Sequence, residues 1–101
     1  MKPVVFLLES GAESEAGVTF YQERRSGLGL AFQDEVESIV WLVRGDPQRW
    51  PLYKDSGLRK CLLGRFPYAL YYLDLNEVIW IAAVAHQKRR PGYWAGRKPE
   101  F

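Results

Sequence analysis

Pro3 to Leu8 is apolar and rich in β-branched residues without alternation, a pattern that predicts a first strand covered on both faces. The period then changes. Ser10 with Glu13 three residues on has the form of a capping box, and Ala12, Ala16 and Phe20 follow at helical spacing toward Arg25, so a first helix is predicted there. Gly27 ends it. The Gly27-Leu28-Gly29 triplet lacks the further glycine and the preceding strand of a phosphate loop and reads as a helix end and turn. A second helix, from about Leu28 or Leu30 to Arg44, is predicted by Phe32, Val36, Ile39, Val40 and Val43, which share one stripe. Trp41 lies nine residues from Phe32, about 180° around the helix, among Gln33, Asp34 and Glu37. An indole on an acidic face marks a candidate partner surface, with burial under a neighbouring element as the alternative.

Gly45-Asp46-Pro47 stops the second helix, and a loop to Pro51 leads to a short strand expected at Leu52 to Lys54. The remainder reads as strands at Leu58–Leu63, Tyr68–Leu73 and Val78–Ala85, joined by turns as consecutive antiparallel hairpins. The last of them, VIWIAAVA, has no polar alternation and is expected to be central and buried on both faces. Arg59, Cys61, Leu63 and Arg65 share one side of their strand by period two. The expected class is therefore α+β: an N-terminal strand, a helical hairpin, then an antiparallel sheet of three to four strands with the helices on one face. Residues 1–101 are read as one domain.

Charge adds an asymmetry that the pattern does not show. Residues 1–50 carry five Lys/Arg against eight Asp/Glu, whereas residues 51–101 carry nine against four. One face is expected to be acidic and solvated, and another suited to an anionic partner. One cysteine and one histidine exclude an intramolecular disulfide and a tetrahedral Cys/His zinc site within one chain; neither metal nor cofactor is expected. Glu9 ends the first apolar run after about six residues, short of a signal peptide, and no stretch approaches the ~20 apolar residues of a membrane span. A cytoplasmic location and no membrane partner are the expectation.

The candidate chemistry collects in AHQKRRPGYW, Ala85 to Trp94. A basic chain end is commonly a solvated tail, but Pro91, Tyr93 and Trp94 argue for a segment folded back on the sheet with Trp94 partly buried, and fraying confined to Gly96–Phe101. For cleavage of RNA, His86 is the candidate base or acid, Arg89 or Arg90 the phosphate clamp and Tyr93 a donor or stacking ring, with Arg59, Lys60, Arg65 and Lys88 along the approach. The alternative for His86 is a strand-end ring bonded to backbone.

The element order, with RFPYALYY at Arg65–Tyr72, AVAHQKRRPGYW at Ala83–Trp94, EAGVTFY at Glu15–Tyr21 and GLGLAFQDEV at Gly27–Val36, resembles the RelE/ParE superfamily of toxins from bacterial type II toxin–antitoxin modules. The resemblance covers nearly the whole chain and implies two activities on one fold. RelE-like members cut mRNA on the ribosome, and ParE-like members poison DNA gyrase without nuclease chemistry. Arg89 and Tyr93 align with the cutters' arginine and tyrosine after the last strand, and Lys60 with one of their lysines. Leu62 stands where another lysine is expected, and Ala69 replaces the arginine of their Y-R-L-V-Y strand. The resemblance thus implies a ParE-like toxin that binds gyrase and is neutralised by a cognate antitoxin, with ribosome-dependent mRNA cleavage as the alternative and a fold that has lost toxicity as a third. Trp41 and the sheet edge are candidate antitoxin anchors.

Overall fold

Seven consecutive residues, Ile79 to Ala85, are buried, and that run is the centre of the molecule. In the computed structural model, which describes residues 1–99, the elements are β1 (Val4–Phe6), α1 (Leu8–Arg24), α2 (Leu28–Gly45), β2 (Arg59–Leu62), β3 (Tyr68–Asp74) and β4 (Ile79–His86). They form one four-stranded sheet in the order β1-β4-β3-β2. The last three strands are antiparallel as expected, and β1 joins parallel to β4, which closes a mixed α+β sheet.

Several local expectations are corrected. The first strand is a three-residue edge strand, not one covered on both faces, and Val5 is 47% exposed. Leu8 has left it to start α1. The strand expected at Leu52–Lys54 is a single bridge between Leu52 and Arg59, because Pro51 has no N–H to extend a ladder and Lys54 turns the chain at φ 49°. No capping box forms: Leu7 is the N-cap of α1 and has no side-chain cap. Ser10 instead points inward, its Oγ donating to the carbonyls of Leu7 (3.1 Å) and Ile81 (2.7 Å).

The buried face of α1 is not Ala12, Ala16 and Phe20, which are exposed, but Ser10, Gly17, Val18 and Tyr21. Small residues dominate it because the helices approach closely. A Cβ at Gly17 would sit 2.6 Å from the Phe32 ring, and one at Gly29 2.6 Å from the Val18 carbonyl. The predicted stripe of α2 does face the core: Phe32, Val36 and Val43 are buried, with Ile39 and Val40 packed beside them. Gly27 starts α2 with φ +88°, a backbone that favours glycine, while Gln22 Oε1 accepts from the N–H groups of Gly27 and Gly29.

The sheet thereby has two dissimilar faces. Leu70, Tyr72, Ile79, Ile81 and Val84 meet the helices, and Ala69, Tyr71, Ala82, Ala83 and Ala85 meet Leu58 and Trp94 on the far side. A β-bulge makes this possible. Tyr71 pairs with Ala83 but Tyr72 with Ile81, so Ala82 is skipped and the parity of β4 reverses beyond it. His86 consequently lies on the same face as its partner Tyr68, with the rings edge-to-face at 5.0 Å.

Candidate functional site at the end of the central strand

β1 stops at Phe6, opposite Ile81, whereas β4 continues to His86. The backbone of β4 beyond Ile81 would expose open ladder groups, and two side chains occupy them. Glu13 Oε1 accepts from Val84 N–H (3.1 Å), and Arg97 Nη1 donates to the Ala82 carbonyl (3.0 Å). The two are ion-paired at 2.7 Å, both largely shielded from solvent, and Glu13 Oε2 also accepts from the Tyr93 hydroxyl. α1 thus clasps the C-terminal segment to the sheet. Fraying therefore does not begin at Gly96: Arg97 is held, while Glu100 and Phe101 lie outside the described residues.

The segment so anchored folds back as expected, and Trp94 is more than partly buried, at 2% exposed. Its indole lies on Tyr71 (centroids 4.1 Å) and against Tyr53 (5.4 Å). Around this stack is a small cavity of about 120 Å³ whose cationic lining is Lys60, Arg89 and Arg90, with His86 at its edge. Lys60 Nζ rests over Tyr53 (5.2 Å) and Tyr71 (5.8 Å), and the Arg89 guanidinium over Tyr93 (4.1 Å). A second cleft of about 240 Å³ on the helix side shares His86, Arg89 and Tyr93 with Phe20 and Tyr68.

The other candidates lie elsewhere. Arg59 Nη1 donates to the carbonyls of Trp50 (2.7 Å) and Gln48 (3.3 Å), and its cross-strand neighbour Tyr72 donates to Pro47 O (2.6 Å), so this pair ties down the 46–51 loop. Arg65 sits on the β2–β3 turn, where its N–H meets Glu35 and its guanidinium lies over Phe66. Lys88 is on the turn after β4 and contributes its backbone N–H to His86 Nδ1 (3.0 Å). Trp41 is 62% exposed, which settles its position on the open face of α2. Sequence reasoning missed Glu13 and Arg97 as site residues. No local pattern marks either, since they are 84 residues apart.

The chemistry open to this cluster follows from its hydrogen bonds. Nδ1 of His86 accepts an N–H, so the neutral ring carries its proton on Nε2 and offers a donor there, not a base. The Tyr93 hydroxyl is committed to Glu13, and burial together with that bond pushes its pKa up. Ala69 is buried between Leu62 and Ala85, so no cation stands at that level of the sheet. Among the described residues, no group of acidic, histidine or cysteine side chains is placed to hold a metal ion, and no helix is long and apolar enough to cross a membrane.

No family model matches the chain, and no curated protein matches it. Among solved structures the chain is similar to one described as "Chromosomal ParDE TA system from P. aeruginosa", at 18% identity and a TM-score of 0.65, over 85% of this chain and 96% of that one. The fold is of the ParE/RelE type. Within this ParE/RelE-type fold, the end of β4 and the segment after it form the cationic pocket.

Buried acids on both faces of the sheet give the fold an alkaline limit. Burial pushes the Tyr72 hydroxyl up to about 12 and the Cys61 thiol up to about 11, and raises Tyr21, Tyr68 and Tyr71 as well. Each is favoured in its protonated, neutral form, so the folded pKa exceeds the unfolded one and the stabilisation is complete below the unfolded value. Above about pH 9–10 the unfolded chain releases the Cys61 and Tyr72 protons first, and stability falls by up to ~1.4 kcal/mol per pH unit for each of these two buried groups until its folded pKa is passed, with smaller contributions from the more exposed tyrosines. Urea midpoints should hold steady up to pH 9 and drop steeply between pH 10 and 12. A midpoint unchanged at pH 11.5 would contradict this burial.

Proposed function

We propose that this chain is the toxin of a type II toxin–antitoxin module and that it acts in the ParE manner, by binding its target, DNA gyrase, and not by cutting RNA. One observation carries the choice. The end of β4 collects Lys60, Arg89 and Arg90 around a pocket, yet neither His86 nor Tyr93 is free to serve as a base there: His86 Nδ1 already accepts from backbone, leaving the ring only a donor, and the Tyr93 hydroxyl is held by Glu13. Cleavage by the 2′-hydroxyl needs a base and a leaving-group acid beside the phosphate. A binding surface needs only the cations and the aromatic stack beneath them. The ParDE structure supports the toxin–antitoxin setting and, with it, a cognate antitoxin that neutralises the protein in the cytoplasm.

Ribosome-dependent mRNA cleavage is the second reading, favoured by the same convergence of His86, Arg89 and Tyr93 in one cleft. Growth inhibition on expression without antitoxin separates the two. His86→Ala should retain inhibition within about threefold, while the double reversal Arg89→Glu/Arg90→Glu abolishes it with circular dichroism and Tm unchanged; binding by charge is sensitive to such reversals. Loss of inhibition in a folded His86→Ala protein, accompanied by loss of mRNA cleavage, would favour the nuclease.

A further inference from the structure

The two arginines of the pocket are held unequally. Both are exposed, but the Arg89 guanidinium lies 4.1 Å from the centre of the Tyr93 ring, whereas among the described residues no ring or acceptor holds that of Arg90. A turn brings Arg89 and Tyr93 together: Gly92 takes φ +82°, and Tyr93 N–H meets the Arg90 carbonyl at 3.4 Å. The ring is then fixed from α1. Its hydroxyl donates to Glu13 Oε2, and a second guanidinium, that of Arg97, lies 5.3 Å from its centre. Glu13 is itself anchored, because its Oε1 accepts from Val84 N–H (3.1 Å) and from Arg97 Nη1 (2.7 Å). Yet Glu13 does not line the pocket of Lys60, Arg89 and Arg90. A chain of contacts thus runs from α1 to one cation of the pocket and passes the other by.

We propose that Glu13 is the positioning residue for Arg89 and acts through Tyr93: the carboxylate holds the phenol, the ring holds the guanidinium, and Arg89 meets the target already oriented. A loose arginine surrenders rotamer freedom when a partner fixes it, and one stacked beforehand surrenders less, a gain of roughly two- to tenfold in affinity per side chain. Glu13 does not contact the target in this role, since its side chain is only 13% exposed and its charge faces Arg97. Holding the segment down and aiming one guanidinium are separable functions, because Arg90 sits on the same segment without the link through Tyr93. The role assigned to Glu13 rests on the reading that the pocket binds a target, but the orientation of Arg89 is measured on the purified chain alone.

Double-mutant cycles test this with two readouts: the Arg89 and Arg90 side-chain N–H resonances of the purified chain, and the concentration that half-inhibits supercoiling by DNA gyrase. Glu13→Gln removes the charged acceptor. Tyr93→Phe keeps the ring and the Glu13–Arg97 pair but cuts the tie between them, so it separates aim from the stability of the clasp. Each variant should move the Arg89 resonance toward that of a solvated arginine, leave Arg90 in place, and raise the half-inhibitory concentration about threefold or more. Arg89→Ala should raise it on the order of tenfold; in that background neither variant should add more than about 1.5-fold, whereas in Arg90→Ala the full effect should return. Equal effects in the Arg89→Ala and Arg90→Ala backgrounds would reduce Glu13 to a structural role and overturn the proposal, as would an Arg89 resonance indifferent to Tyr93→Phe. If that resonance moves as expected while Arg89→Ala leaves gyrase inhibition intact, the orientation of Arg89 by Glu13 stands and the target reading fails.

Discussion

Glu13→Ala is expected to destabilise the protein by ~3 kcal/mol and to release the C-terminal segment from the sheet. The carboxylate holds together Val84 N–H, the Tyr93 hydroxyl and the Arg97 guanidinium, so its removal leaves three donor groups, one of them a cation, without this acceptor. Removing one partner of a shielded pair costs ~3–5 kcal/mol, and the residual exposure of both side chains, 13% and 16%, places this case at the lower end. Glu13→Gln keeps a carbonyl acceptor and should cost about half as much, since hydrogen bonds to a charged group exceed neutral ones by ~1 kcal/mol. Urea unfolding gives the stability, and hydrogen exchange at Tyr93 to Arg97 gives the release. Those amides should exchange at least tenfold faster in Glu13→Ala under conditions where β3 stays protected. A loss below ~1 kcal/mol with unchanged exchange would mean that the clasp does not hold the segment.

Trp94→Ala is the second large effect, at ~3–5 kcal/mol, the range for emptying a buried large aromatic site. The indole fills the far face of the sheet between Tyr71 and Tyr53, and the surrounding β4 residues there are alanines with no volume to close the gap. Trp94→Phe should recover more than half of the loss, because an aromatic ring still lies on Tyr71. Both variants should also weaken target binding through displacement of Lys60, Arg89 and Arg90 around the cavity that the stack supports. Thermal unfolding and growth inhibition at a permissive temperature are the readouts. A Trp94→Ala protein as stable as the parent would contradict burial of the ring.

The two helices and the last three strands were legible because each carries a signal at its own period: the Phe32–Val43 stripe of α2, and the unbroken apolar run of β4. The face of α1 was misread for a physical reason. Close approach of α1 to Phe32 and to Ile81 requires a glycine and a serine, which a hydrophobic stripe does not count, and the alanines that imitate a stripe point to water. Ser10 and Glu13 imitate a capping box, yet each meets a carbonyl or amide of β4 that exists only once the sheet has formed. The bulge at Ala82 decides which face receives His86, and no residue near it announces an irregularity.

Of the candidate site, the pocket residues Lys60, His86, Arg89, Arg90 and Tyr93 were found from their place at the end of β4 and from the family resemblance. Arg59 was placed by strand period alone, and period does not reveal that the 46–51 loop passes within reach of its guanidinium. The pairing of Glu13 with Arg97 was beyond reach, since contacts between chain ends follow from topology and not from spacing.

The cationic end of β4 is proposed to bind its target and not to cleave RNA. The most direct measurement incubates the purified protein with DNA gyrase and plasmid and, in parallel, with a translating ribosome extract carrying a defined mRNA. The expected result is inhibited supercoiling with trapped gyrase–DNA complexes, abolished by Arg89→Glu/Arg90→Glu, and intact mRNA. Site-specific mRNA breaks with unimpaired supercoiling would contradict it.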